Sequence, residues 1–396
     1  MPIRSLDALL ASTELRGKRV FVRADLNVPL RDGVIGDDSR IRASLPTLRR
    51  LLAAGARVVL ASHLGRPKDG PDPKLSLAPV AQALQAALGV RITLAPDCVG
   101  PAVHAAVEAL APGEVLLLEN LRFHKQETKN DPGFGKALAE LADVYVNDAF
   151  GTAHRAHAST AGMVAHVPIV AAGLLLMAEV EALGAALRPE RPFVCFLGGA
   201  KVSDKLGVLE ALIERADTVA VGGAMAYTFL AARGEAVGRS LVESDRFDDA
   251  RRMLARAEAR GCPLLLPNDH VVAERLEAPA SAGVVTTIPA DRMGVDIGPE
   301  TAARYAEAAA SARTILWNGP MGVFEIEAFA KGTERLARAV AASSARSIVG
   351  GGDSLAAVAK VGVGDRISHL STGGGASLEF VQGLTLPGIA ALDRDG

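Results

Sequence analysis

PFVCFLGGAKVSDKLGVLEAL, residues 192–212, passes from an unbroken apolar run through two adjacent glycines, Gly198 and Gly199, into a segment whose apolar positions fall at helical spacing. A short apolar run closed by glycine predicts a buried strand, and the following periodicity predicts a helix. Strand, tight turn and helix in that order form the repeating unit of a parallel sheet. Lys201 and Lys205 stand four residues apart at the helix start, where free backbone N–H groups and the helix dipole favour an anion. The Walker A order of glycine, four residues and Gly-Lys-Ser/Thr is absent, because the first lysine follows Ala200. On its own the segment reads better as a plain strand-to-helix turn with two exposed lysines, and only the rest of the chain overturns that.

The same alternation runs through the chain. Apolar runs occur at RVFVRAD, RVVLASH, RITLAP, EVLLLEN and DVYVND in the first half, and at PFVCFLGG, TVAVGG, PLLLPND, TILWNG and SIVGGGD in the second. Longer Ala- and Leu-rich stretches at helical spacing separate them. This predicts an α/β protein with two doubly wound, Rossmann-like parallel-sheet domains and a cleft between them. GLLLMAEVEALGAAL is apolar at helical spacing, and the prolines of RPERP end a helix there. The expected division is therefore an N-terminal domain over 1–172, a connecting helix over 173–190 and a C-terminal domain over 191–380. Residues 381–396 are expected to pack back near the N-terminal domain.

Bulk composition narrows the function. At 396 residues the chain exceeds what one core usually serves. It is 49% hydrophobic and 22% charged with a formal net charge of -2, which gives no support to a polyanion-binding surface. Aromatic content is 4%, too little for a base-stacking platform. Cys98, Cys195 and Cys262 show neither a C-x-x-C pair nor metal-ligand spacing. With no stretch of about 18 apolar residues and no signal-peptide core, a cytoplasmic protein is expected, without nucleic-acid or membrane partners.

In open parallel sheets ligands bind beyond the carboxyl ends of the strands. In the first half those ends carry Arg23, Asp25 and Asn27, then His63 and Arg66, then Arg122 and His124, then His154, Arg155 and His157; Arg40 lies in the adjoining loop sequence GDDSRIRAS. Any one arginine is most often a solvated charge. Convergent guanidiniums repel unless an anion neutralises them, and their forked geometry suits phosphate and carboxylate. A small, strongly anionic metabolite is expected here. The second half carries glycines instead: Gly198 and Gly199, Gly222 and Gly223, Gly350 to Gly352 with Asp353 and Ser354, and Gly373 to Gly375. Glycines let backbone N–H groups approach a phosphate, and Asp353 suits Mg2+. A basic anion site and a glycine-rich nucleotide site together suggest phosphoryl transfer with domain closure. A nicotinamide-dependent dehydrogenase is the alternative enzyme, disfavoured by the missing G-x-G-x-x-G. A metabolite sensor that binds without turnover is the non-catalytic alternative.

The blocks RADLNVPLRDG, DDSRIRASLPTL, SHLGRP, LLLENLRFHKQETKNDP, YVNDAFGTAHRAHAST, FLGGAKVSDKLGVL, WNGPMGVFE, GGGDS and HLSTGGGASLE, in this order, closely resemble the phosphoglycerate kinase family over essentially the whole chain. The resemblance implies a monomer that transfers a phosphoryl group reversibly between 1,3-bisphosphoglycerate and ADP, giving 3-phosphoglycerate and ATP with Mg2+, without a general base. It assigns Asp25, Asn27, Arg40, His63, Arg66, Arg122 and Arg155 to phosphoglycerate. It assigns Gly198, Gly199, Lys205, Gly222, Gly223, Gly294, Asn318, Pro320, Glu325, Gly351, Gly352, Asp353 and Ser354 to the nucleotide, with Asp353 serving the metal and Glu325 the ribose. Arg40, Lys201, Gly373 and Gly374 are the expected catalytic positions.

Overall fold

The computed structural model describes residues 3–68 and 70–393. Two compact units emerge: one runs to Val180 and takes in the segment from Thr385, and the other is Glu181–Leu384.

The first unit is built on a six-stranded, all-parallel sheet in the order Ile92–Leu94, Val115–Leu117, Arg57–Ala61, Arg19–Ala24, Val144–Asp148, Ile169–Ala172. The second unit repeats the plan in the order Leu264–Leu265, Thr218–Val221, Phe193–Leu197, Thr314–Asn318, Arg346–Gly350, His369–Ser371, again all parallel. In both sheets the first strand of the chain lies centrally and later strands add on either side of it. The order therefore reverses beside Arg19–Ala24 and beside Phe193–Leu197, where ligand crevices form. Central strands such as Val144–Asp148, Phe193–Leu197 and Thr314–Asn318 are buried along their whole length. Helices on both faces explain why they read as unbroken apolar runs rather than as alternating ones.

Some elements depart from the sequence expectation. Ile169–Ala172 and His369–Ser371 are edge strands too short for a periodic signal. PLLLPND shrinks to Leu264–Leu265 because Pro263 and Pro267 bracket it. A three-stranded antiparallel sheet, Gly283–Val285, His270–Ala273 and Met293–Ile297, was not foreseen. Neither was the hairpin Leu30–Arg31 with Val34–Ile35, whose Asp32 and Gly33 take φ of 51° and 79°. Two consecutive positive φ values are what a two-residue Asp-Gly hairpin turn demands.

The helix Leu174–Leu187 begins in the first unit and continues beyond Val180. Its first N–H groups are claimed: Leu174 donates to Thr47 Oγ1 at 2.9 Å, and Leu175 and Leu176 donate to Asp148 Oδ1 at 2.9 and 3.2 Å. Asp148 is fully buried at the end of its strand, and burial pushes its carboxyl up to about 6. Gly173 is required beside it, since a Cβ there would lie 2.2 Å from Asp148 Oδ1. The returning C-terminal segment is fastened by Gly388, which donates to Ala153 O at 2.8 Å and accepts from Asn147 Nδ2 at 3.1 Å.

Asp148→Ala is expected to cost the first unit about 0.5–2 kcal/mol, the range for loss of a helix N-cap. Amide exchange at Leu175 and Leu176 measures it, and unchanged protection of those two amides would refute the capping role.

Candidate active site

At the carboxyl edge of the first sheet, Arg23 is buried to 1% exposure. Its Nε donates to Ser159 Oγ at 2.8 Å, one terminal nitrogen donates to Ala24 O, and the other lies 3.3 Å from His63 Nδ1. Glu127, fully buried, accepts from Ser159 N and Oγ at 2.9 and 2.6 Å and lies 3.8 Å from His157 Nδ1. Arg122 donates to Gly65 O at 2.7 Å, and Asn27 Oδ1 accepts from Gly65 N at 2.8 Å. One short loop is thereby held between the two. Asn120 fixes the same loop, accepting from Leu64 N at 3.1 Å and donating to Leu64 O at 2.7 Å. Arg40 pairs with Asp25. It stands in the first turn of the helix Ser39–Ala53 rather than in the expected loop.

Electrostatics show that these groups converge. Burial, then Arg23 and Arg155, lower the Arg122 guanidinium to about 10, with Arg66 adding to the effect and Glu127 opposing it. Burial, then Arg23, Arg122 and Arg40, hold His63 well below its ordinary value, and burial with Arg23, Arg122 and Arg155 brings His157 down to about 4. Both histidines are neutral at pH 7. Asp25, Asn27, Arg40, His63, Arg66, Arg122 and Arg155 are thus brought to one face, with Arg66 and Arg155 exposed on it.

In the second unit, four helices start just past the carboxyl edge of the sheet: Leu206–Arg215, Ala224–Ala232, Gly352–Val361 and Gly375–Gln382. Their N-cap residues, Lys205, Gly223, Gly351 and Gly374, make no side-chain capping bond. First-turn N–H groups are left for an anion. A cavity of about 260 Å³ is lined by Gly199, Gly223, Gly294, Pro320, Glu325 and Asp353. Lys205 Nζ donates to Asn318 O at 2.9 Å and also to Asn318 Oδ1. Burial lowers this ammonium to about 8 against the pull of Asp353 and Asp204.

Other expected residues take different places. Gly198 and Gly222 are buried, and an added Cβ would come within 1.9 Å of Pro320 O or 2.5 Å of Met321 Sδ. They let two loops pack closely and do not line the cavity. Ser354 is buried with its Oγ accepting from Gly319 N at 2.6 Å, while Gly352 is exposed at the helix start. Gly373 and Gly374 precede the last of the four helices. Lys201 is exposed on its loop; against burial, hydrogen bonds from Ser203 hold the Glu243 carboxyl below its usual range, with the Lys201 charge adding to them. Asp353, exposed in the first turn of its helix and facing the cavity, offers the oxygen ligand Mg2+ prefers, so the site fits that ion.

Sequence reasoning missed Glu127 and Ser159, which hold Arg23, and the apolar wall of Tyr227, Leu241 and Leu276 in the nucleotide cavity. Glu127 had no signal beyond being an acid in a basic stretch. Tyr227 lies on the helix Ala224–Ala232 and Leu241 and Leu276 on separate loops, so the wall carries no spacing in sequence.

A doubly wound sheet with an anion cradle and a second with a glycine-lined cavity define a phosphotransferase. The phosphoglycerate kinase family matches residues 10–384. Among curated relatives, phosphoglycerate kinase of Moorella thermoacetica is 58% identical over 386 residues, covering 97% of this chain and 98% of that one. Phosphoglycerate kinase of Anaeromyxobacter dehalogenans is 57% identical over 400 residues, covering 100% of both. The solved structure of phosphoglycerate kinase from Coxiella burnetii superposes with a TM-score of 0.90 at 44% identity, covering 99% of each chain. That from Pyrococcus horikoshii gives 0.84 at 35%, covering 98% of each. The chain belongs to the phosphoglycerate kinase family.

Lys205 is cationic below about pH 8 and neutral above it. The kcat/KM for nucleotide, which reports ionisations of the free enzyme, is expected to fall as pH rises through that value. Lys205→Met should lose roughly ten- to hundredfold in kcat/KM, the worth of a charge-assisted contact, and flatten the profile there. A wild-type profile unchanged across pH 8 would remove Lys205 from the site.

Proposed function

We propose that the chain catalyses reversible, Mg2+-dependent phosphoryl transfer between 1,3-bisphosphoglycerate and ADP, giving 3-phosphoglycerate and ATP, and acts as a monomer in the cytoplasm. The observation that carries the substrate half is that burial together with converging guanidiniums, Arg23 foremost, depresses Arg122, His63 and His157. Such a field is relieved by a ligand with several negative charges, and a phosphate plus a carboxylate supplies them. Glycine-opened helices, Lys205 and Asp353 support the nucleotide half. Leu241 and Leu276, exposed at 51% and 37% in that cavity, offer an apolar wall for the base. Among the described residues no helix is long and apolar enough to cross a membrane.

The chemistry asks little of side chains beyond position and charge. The acceptor carboxylate of 3-phosphoglycerate is already ionised at neutral pH, so no residue has to remove a proton. His63 and His157, neutral and buried, hydrogen-bond rather than act as bases. Arg122 and Asn27 position the acid through the loop at Gly65. Arg40 and Lys201 are assigned the transferring phosphoryl group, and first-turn N–H groups after Gly374 share its charge. Asp353 would hold Mg2+, which when bound neutralises phosphate oxygens.

Steady-state ADP formation from ATP, Mg2+ and 3-phosphoglycerate, with the acyl phosphate removed by a coupling enzyme, tests the reading. Turnover is expected to require all three components and to fall on the order of 10²-fold or more in Arg40→Ala and Lys201→Ala, as when one transition-state donor is removed. Arg66→Ala is expected to raise the KM for 3-phosphoglycerate instead. Binding of both ligands without turnover would sink the enzyme and leave a sensor.

A further inference from the structure

Asp97, Cys98 and His124 form a cluster distinct from the residues assigned to substrate. One ligand atom from each lies within 4.8 Å of the others. The sheet creates this meeting: Asp97 and Cys98 follow the strand Ile92–Leu94, and His124 follows the short turn Leu121–Phe123 beyond the neighbouring strand Val115–Leu117. His124 stands 26 and 27 positions after the adjacent pair Cys98 and Asp97, so the three show no metal spacing in sequence.

The side chains are held in place. His124 Nε2 lies 2.5 Å from Asp97 Oδ1, and its ring stacks on Phe134 with centroids 4.9 Å apart. Cys98 donates its thiol to Glu119 O at 3.0 Å and its N–H to Asp97 Oδ1 at 2.6 Å. Burial is graded: the thiol is fully buried, the imidazole is partly exposed, and the carboxylate side chain is 49% exposed. A cavity of about 620 Å³ opens against His124. A soft ligand therefore lies inside, with a nitrogen and an oxygen between it and water.

We propose that Asp97, Cys98 and His124 bind a borderline-soft divalent metal ion of the Zn2+ class through one sulfur, one nitrogen and one oxygen, with a fourth position open to water. Tetrahedral bonds of about 2.3 Å to sulfur and about 2.0–2.2 Å to nitrogen and oxygen set ligand atoms roughly 3.3–3.6 Å apart. Closing from the observed spread takes about 1 Å of side-chain movement, within reach of rotation about χ angles. On binding, the Cys98 thiol releases its proton to solvent, the His124 proton facing Asp97 leaves Nε2 as the ring takes its Nδ1–H tautomer, and the Asp97–His124 hydrogen bond is exchanged for two metal bonds. The carboxylates of Asp97, Glu127 and Glu119 act on the Cys98 side chain and favour a cation there. Lys125 and Lys129 on the cavity wall oppose it, so affinity rests on the three ligands rather than on the general field.

The full chain, stripped with a chelator and free of nucleotide, is titrated with Co2+. One equivalent is expected to give a thiolate-to-metal charge-transfer band and the strong visible bands of four-coordination, both displaced by Zn2+. Cys98→Ser should lose the charge-transfer band; His124→Gln, on a partly exposed side chain that leaves the core intact, should bind roughly tenfold or more weakly, at least the loss seen when a supporting contact is removed. Absence of a charge-transfer band at one equivalent overturns the proposal. So does a band that survives unchanged in both His124→Gln and Asp97→Asn, because the metal then sits on another cysteine.

Discussion

A guanidinium in a place without water governs the first unit. Arg23 sits on the central strand, at the reversal of strand order, and cannot be deprotonated. Its charge must be met by hydrogen bonds, and Ser159, Ala24 and His63 meet it, with Glu127 gripping Ser159 behind. Removing one partner of a buried charge costs far more than the pair contributes. The guanidiniums of Arg23, Arg40, Arg66, Arg122 and Arg155 outnumber the carboxylates of Asp25 and Glu127 that face them. What remains is positive potential aimed at one face. The neutral states of His63 and His157 follow from burial first and from this potential second, since a further proton would add to the excess of charge.

The second unit solves its anion problem with backbone. Glycine-started helices offer N–H groups that carry partial charge and need no counter-ion. Lys205, lowered by burial to about 8, donates to Asn318. This contrast between halves follows from residue type alone and was visible before any coordinate.

Other features were not. The strand ends were legible because a parallel sheet puts ligands there, and four of the first half's five apolar runs end in Arg or His. Glycine clusters were legible as clusters, but sequence does not separate a glycine that faces a ligand from one that faces a loop. Gly199 and Gly223 line the cavity, whereas their neighbours Gly198 and Gly222 abut Pro320 and Met321. Gly294 lines the cavity for yet another reason: a Cβ there would lie 2.1 Å from the Tyr227 ring. Glu127 was illegible because its importance lies in Ser159, which is 32 residues away. The edge strands Ile169–Ala172 and His369–Ser371 and the antiparallel sheet escaped notice because runs of three to five residues carry little periodicity.

The loop from Asn318 to Pro320 shows how the nucleotide cavity keeps its form. Gly319 holds a φ of 97°, its N–H donates to Ser354 Oγ at 2.6 Å, and its carbonyl accepts from Trp317 Nε1 at 2.7 Å. A side chain there would place a Cβ 2.8 Å from Lys205 Nζ. The loop therefore fixes Asn318, and Asn318 fixes the ammonium. Ser354 spends its hydroxyl on this loop, while Asp353, one residue earlier on the same helix, turns its carboxylate to the cavity. Adjacent residues of one motif thus divide the work: one holds the scaffold and the other meets the ligand.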